Sequence, residues 1–133
     1  MKYGEILNIS RNIYLNSVSE KKLPMKIKLP LFFNLKKIKE AMSGWETAFI
    51  ELLNRYANKD ENGSPIVIND EYDIPVNLKQ DYLKEFNDIL NCDSGLSQND
   101  IQYISMDCFE DYDETKFDIL TIGEMESLLF MMK

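Results

Sequence analysis

Eight apolar residues in the middle of the chain, Leu31, Leu35, Ile38, Met42, Trp45, Phe49, Leu52 and Tyr56, follow one another at steps of four and three without interruption. That rhythm puts all eight on one face of an α-helix. It is incompatible with a strand, whose faces alternate at every residue. Pro30 stands directly before the run, and proline suits a first helical turn, so the predicted helix begins there and covers about 27 residues, or about 40 Å. Such a stripe must be covered, and its regularity favours a second long helix lying against it at a shallow angle. Trp45 reads as part of that core rather than as a binding residue. Gly44, which weakens the helix by about 1 kcal/mol relative to alanine, marks a close approach by a neighbour.

The first candidate for the cover is the segment from Tyr3 to Val18, where Ile6, Ile9, Ile13 and Tyr14 follow a helical period. Between the two helices lies Lys21-Lys22-Leu23-Pro24-Met25-Lys26-Ile27-Lys28-Leu29-Pro30, whose prolines and alternating lysines predict an extended connector. The pair would then be antiparallel. The shorter first helix leaves part of the seam for later elements or a second subunit. Further on, Lys59 to Pro65 is a turn cluster, and Ile66 to Ile74 reads as a β-hairpin closed by Pro75. Asn77 is the expected cap of a third helix with Leu78, Tyr82, Phe86, Ile89 and Leu90 on one face. Ile101 to Met106 reads as a strand or a short helix. Thr121-Ile122-Gly123-Glu124 has the form of a capping box, opening a last helix faced by Met125, Leu128, Leu129 and Met132. The expectation is a mainly helical α+β fold in a single domain, residues 1–133: a long antiparallel helix pair, a small hairpin and further packing helices.

Charge is unevenly distributed. Residues 1–58 hold ten Lys and Arg against five Asp and Glu, whereas residues 59–133 hold five against eighteen. Asymmetry of this kind points to an interaction function or to mutual neutralisation of the halves. The positive part centres on Lys21, Lys22, Lys26, Lys28, Lys36, Lys37 and Lys39. The negative part is densest at Asp107, Glu110, Asp111, Asp113, Glu114 and Asp118, interleaved with Phe109, Tyr112 and Phe117. Clustered acids are usually a solvated face. Here they also suit a partner-binding surface, with Tyr112 as a stacking group, that competes for the basic groove of a nucleic-acid-binding protein. By the same logic the chain is a poor direct binder of nucleic acid.

Several function classes lose their chemistry at this stage. There is no histidine, which removes Ser-His and Cys-His pairs and the commonest general base. Cys92 and Cys108 match no zinc spacing and read as reduced thiols. Asp60-Glu61-Asn62-Gly63 does not meet calcium-loop spacing, and no glycine-rich phosphate loop or nucleophile elbow occurs. The chain is therefore read as non-enzymatic, with no metal and no cofactor. No apolar run reaches the about 20 residues of a membrane span. Polar Asn8, Ser10 and Arg11 break any signal-peptide core, which makes a cytoplasmic location the expectation.

Three stretches taken together, Lys21-Lys22-Leu23-Pro24-Met25-Lys26, Asn34-Leu35-Lys36-Lys37 and Arg55-Tyr56-Ala57-Asn58-Lys59-Asp60-Glu61-Asn62-Gly63-Ser64-Pro65, resemble a family of small uncharacterised proteins of tailed phages and prophages of Gram-positive bacteria. The order hairpin, third helix, acidic stretch and capped last helix resembles that family too, while residues 92–118 depart from it. The resemblance implies a viral origin and action in the host cytoplasm, and it carries over no catalytic residue. It frames two functional expectations. One is an accessory protein that inhibits a host defence complex such as a CRISPR effector through its acidic face. The other is a virion or tail component that oligomerises through the long helix.

Overall fold

The computed structural model describes residues 1–133, which form five α-helices and one two-stranded antiparallel sheet. With 59% of its residues helical, the protein has the mainly helical α+β architecture expected. The long helix, α3, is present and longer than predicted, running from Met25 to Tyr56 for 32 residues, or about 48 Å. The lysine-rich connector is thus mostly helix. Pro24 precedes the first turn and Pro30 sits inside the second. So early in the helix, Pro30 deprives only the carbonyl of Lys26, an exposed residue, of its partner. Burial of Leu23 and Ile27 offsets that loss, at about 1.5–3 kcal/mol for each side chain of this size. Ile27 extends the buried stripe one turn backwards, to Ile27, Leu31, Asn34, Ile38, Trp45 and Leu52.

The predicted first helix is two. Helix α1 spans Tyr3–Ser10 and α2 spans Ile13–Glu20. The break is at Asn12, whose side-chain oxygen accepts the Tyr14 N–H at 3.0 Å and opens a new helix instead of continuing the old one. The two pieces do different jobs. Helix α1 lies on α3, where the Tyr3 hydroxyl reaches so close to Gly44 that any Cβ there would clash with it. This is the close approach that a glycine in mid-helix foreshadowed. Ser10 meets the Met42 sulfur at 3.8 Å. Helix α2 turns toward the chain's end, where the Tyr14 ring covers Gly123.

The antiparallel pair forms between α3 and the third helix of the sequence reading, α4, Lys79–Leu90. Tyr82 meets Tyr56 at 6.1 Å between ring centroids, and Phe86 meets Phe49 at 6.0 Å and Trp45 at 5.5 Å, so contacts advance along α4 as they retreat along α3. Asn77 does not cap α4, because it lies within a 3₁₀ turn, Val76–Leu78, that feeds the helix. Every seam residue is buried or half-buried against the chain's own elements. Between α3 and α4 the hairpin forms as expected. Strands β1, Val67–Ile68, and β2, Glu71–Tyr72, pair Val67 with Tyr72 and Ile68 with Glu71. Asn69 and Asp70 both adopt positive φ, 52° and 64°, which is the twist a two-residue hairpin loop requires.

The rest of the chain closes the other end. Ile101 to Ser105 is neither strand nor helix but an extended run with a single parallel bridge from Ile104 to Met132, and Met106 already opens a 3₁₀ turn. Asn34, fully buried in α3, treats this run as a second strand. Its amide donates to the Gln102 carbonyl and accepts the Gln102 N–H, both at 2.8 Å. Leu96, Ile101, Ile104, Leu128 and Met131 then join Ile6, Leu15, Val18, Leu23, Ile27, Leu31 and Ile38 in one core. Helix α5, Ile122–Ser127, carries the predicted capping box of Thr121 and Glu124. It is shorter than predicted and passes into a 3₁₀ turn at Leu129–Met131. The tighter turn rotates Leu129 outward to 63% exposure and puts Leu128 and Met131 in the core, which corrects the predicted face.

Candidate functional site

The acidic stretch hangs between a 3₁₀ turn, Met106–Phe109, and α5. Its backbone is held at both ends. Ser105 caps the turn by accepting the Asp107 N–H at 3.2 Å. At the other end Asp118 and Lys22 exchange two bonds, the Asp118 carboxylate accepting the Lys22 N–H at 2.8 Å and the Lys22 carbonyl accepting the Asp118 N–H at 2.9 Å. Between these points Tyr112 stacks on Phe109 at 6.5 Å and meets the tilted ring of Phe117 at 5.9 Å, and Phe109 and Tyr112 pack on the core. The Tyr112 hydroxyl donates to the Asp118 carbonyl. Burial, followed by the carboxylates of Asp118 and Glu114, pushes its pKa up.

The predicted acidic face therefore separates into two sets. Tyr112 and Asp118 are engaged inside the loop, and Tyr112 is an anchor rather than an outward stacking group. Asp113 is half-buried and binds the hydroxyl and N–H of Thr115, which hold its carboxyl below the usual range. Asp107, Glu110, Asp111 and Glu114 are exposed and pair with no lysine or arginine. No three of the chain's carboxylates and thiols converge into a cation-binding group.

The basic stretch also divides. The Lys21 ammonium pairs with Glu124 at 2.6 Å and donates to the Ile119 carbonyl at 3.0 Å. Glu124 is buried, and it further accepts the Ser17 hydroxyl at 3.0 Å and the Thr121 N–H at 3.1 Å. Lys21 foremost, with these hydrogen bonds, outweighs burial and brings the Glu124 carboxyl down to about 2. Lys28 donates to the Lys21 carbonyl at 2.8 Å and lies over the Phe32 ring, and Lys37 pairs with Asp100 at 3.7 Å over the Phe33 ring. Lys22 contributes its backbone to the clamp on Asp118. Lys26, Lys36 and Lys39 are exposed without a carboxylate partner. The basic stretch thus meets the acidic half at Lys21–Lys22 against Asp118–Glu124 and again at Lys37 against Asp100, and its charge is paired only at Lys21–Glu124 and Lys37–Asp100.

Two concave surfaces accompany these charges, and neither was singled out from the sequence. The first is a groove of about 230 Å³ lined by Met106, Leu120, Ile122, Met125, Leu129 and Met132 with Glu126 as its one charged wall. Ile122 is 80% exposed and Met106 55%. Its only signal in the sequence was an excess of apolar residues over what one face of so short a helix can bury. The second is an open cleft of about 610 Å³ between α3, the hairpin and α4. Trp45, Phe49, Tyr72, Tyr82 and Phe86 form its walls, with Arg11, Lys79, Glu71 and Asp73 also lining it. Burial, then Tyr72, raises the pKa of the Tyr82 hydroxyl. The cleft's charges balance, two of each sign.

No family model, curated protein or solved structure matches the chain. No helix is long and apolar enough to cross a membrane.

Proposed function

We propose that the protein is a non-enzymatic phage accessory factor that acts by binding a host protein through its acidic loop. The observation that carries this reading is the set of four carboxylates, Asp107, Glu110, Asp111 and Glu114, exposed and unpaired on a backbone fixed at Ser105 and Asp118. Fixing the loop lowers the entropy lost when it is bound. Leaving its charge uncompensated speeds encounter with a positive surface. A basic nucleic-acid-binding groove, such as that of a CRISPR effector or another host defence complex, is the chemistry that fits. The protein would then act as a competitor of nucleic acid, working in the host cytoplasm.

Competition against target DNA for purified host defence complexes, at low and physiological salt, tests this. The wild-type chain displaces DNA with an affinity that falls as salt rises. A variant carrying Glu110→Lys, Asp111→Lys and Glu114→Lys loses at least about tenfold, because like charge then faces the groove. Equal behaviour of the two chains, or no displacement from any such complex, defeats the reading.

A further inference from the structure

Over its first turns, Met25 to Phe33, the face of α3 opposite the seam is not polar. Met25, Leu29, Phe32 and Phe33 are 62%, 60%, 47% and 38% exposed. At about 100° per residue they fall within about 100° of arc, with Lys36 on the same line. Lys26 and Lys37 flank this stripe on one side, Lys28 and Lys39 on the other. The lysine stems extend its apolar surface, and the Lys28 and Lys37 ammonium groups sit 5.5 and 4.8 Å from the ring centres of Phe32 and Phe33. Anchors at i, i+4, i+7 and i+8 on a helix with basic margins are the form of a groove-binding helix.

The methionine groove has the complementary form. It is apolar at its centre, with Glu126 in its wall and exposed Asp107 next to Met106 in the chain, and neither carboxylate is paired. Methionine side chains adapt to an incoming apolar surface. We infer that the lysine-flanked stripe of α3 in one copy of the chain seats in the methionine groove of a second copy, its lysines facing Glu126 in the groove wall. The inference goes beyond the host-binding proposal and uses different residues from its test. It also moves oligomerisation from the seam of the long helix, which the chain covers itself, to the opposite face of the same helix. Stripe and groove are distinct surfaces, so one contact consumes the stripe of one copy and the groove of the other.

A mixing experiment tests this. The stripe variant, Leu29→Glu with Phe32→Glu, keeps its groove, and the groove variant, Ile122→Lys with Leu129→Lys, keeps its stripe. All four positions are exposed, so the fold is retained, with unchanged circular dichroism as the check. By sedimentation the wild-type chain of 15.6 kDa shows a mass that grows with concentration and shrinks as salt is raised. Each variant alone stays at the mass of one chain, and an equal mixture forms a complex of two chains and no larger. If the charged changes disturb folding, Leu29→Ser and Leu129→Ser give the same pattern. A wild type that stays monomeric up to millimolar concentration overturns the inference. So do variants that still associate alone, or a mixture that stays monomeric while the wild type associates.

Discussion

The two halves of α3 carry the same four-three repeat and end in different kinds of packing. From Ile27 to Ile38 the buried face is aliphatic but for Asn34, with Ile27 and Leu31 at 0% exposure, and segments from both ends of the chain close over it. From Trp45 to Tyr56 the face is largely aromatic and packs mainly against α4 and the hairpin, with Arg11 beside Trp45 at one edge. No residue of α4 is fully buried, and the side toward the hairpin is left open as the large cleft. Periodicity says which side of a helix will be covered but not how completely. The first half draws its stability from contacts distant in sequence. The second is assembled mainly from residues 45–90 and depends on edge-to-face ring contacts worth about 0.5–1.5 kcal/mol each beyond their burial.

The largest effect should come from breaking the first half. Leu31→Ala removes a fully buried side chain from the core and should cost about 3–4 kcal/mol of global stability in denaturant titration. Comparable losses from Leu31→Ala and from a ring deletion in the second half would show that the halves do not differ.

Lys21→Ala should cost about 3 kcal/mol, toward the low end for breaking a buried pair because Lys21 remains partly exposed while Glu124 is left buried and unpaired. The same pair makes the first half acid-sensitive. The Glu124 carboxyl lies at about 2 when folded against 4.5 when free, so its stabilisation is complete above about pH 4.5 and lost as pH falls toward 2. Stability measured across that window should decline in the wild type and decline less in Lys21→Ala.

Phe86→Ala sharpens the comparison from the other side. The half-buried ring contacts Trp45, Phe49 and Tyr82, and its loss should cost about 2 kcal/mol. Hydrogen exchange should quicken in α4 and the hairpin while residues 27–38 keep their protection. Trp45, the single tryptophan, reports the change by fluorescence. Exchange that quickens equally in both halves would show a single cooperative unit. The smallest effect belongs to the hairpin, where Asp70→Gly relieves a φ of 64° and should stabilise by no more than about 0.5 kcal/mol in thermal melts.

The candidate surfaces were legible to different degrees. The acidic stretch is visible in composition, yet which carboxylates remain free is decided by partners remote in sequence. Asp118 is taken up by the backbone of Lys22, and Glu124, read only as half of a capping box, becomes the buried partner of Lys21 and Ser17. Asn34 gave no signal at all, because a polar residue on a seam is explained only by the Gln102 backbone that it pairs with. The methionine groove was hidden for a related reason. Leu129 fits a helical period, and only the tightening after Ser127 turns it outward.

By itself the sequence determined the long helix, the hairpin and its turn, the capping box at Thr121, the close approach at Gly44 and the opposed charges of the halves. These follow from period, backbone preference and the absence of a Cβ, all local properties. Tertiary structure alone decided that α4 rather than the first helix is the antiparallel partner, and that the first helix breaks at Asn12. It carried α3 through Pro30, and it divided the charged residues into those spent within the fold and those left free. Each of these turns on which distant segment arrives to bury a face or satisfy a polar group. That choice is made by the whole packed core, and no window of the sequence contains it.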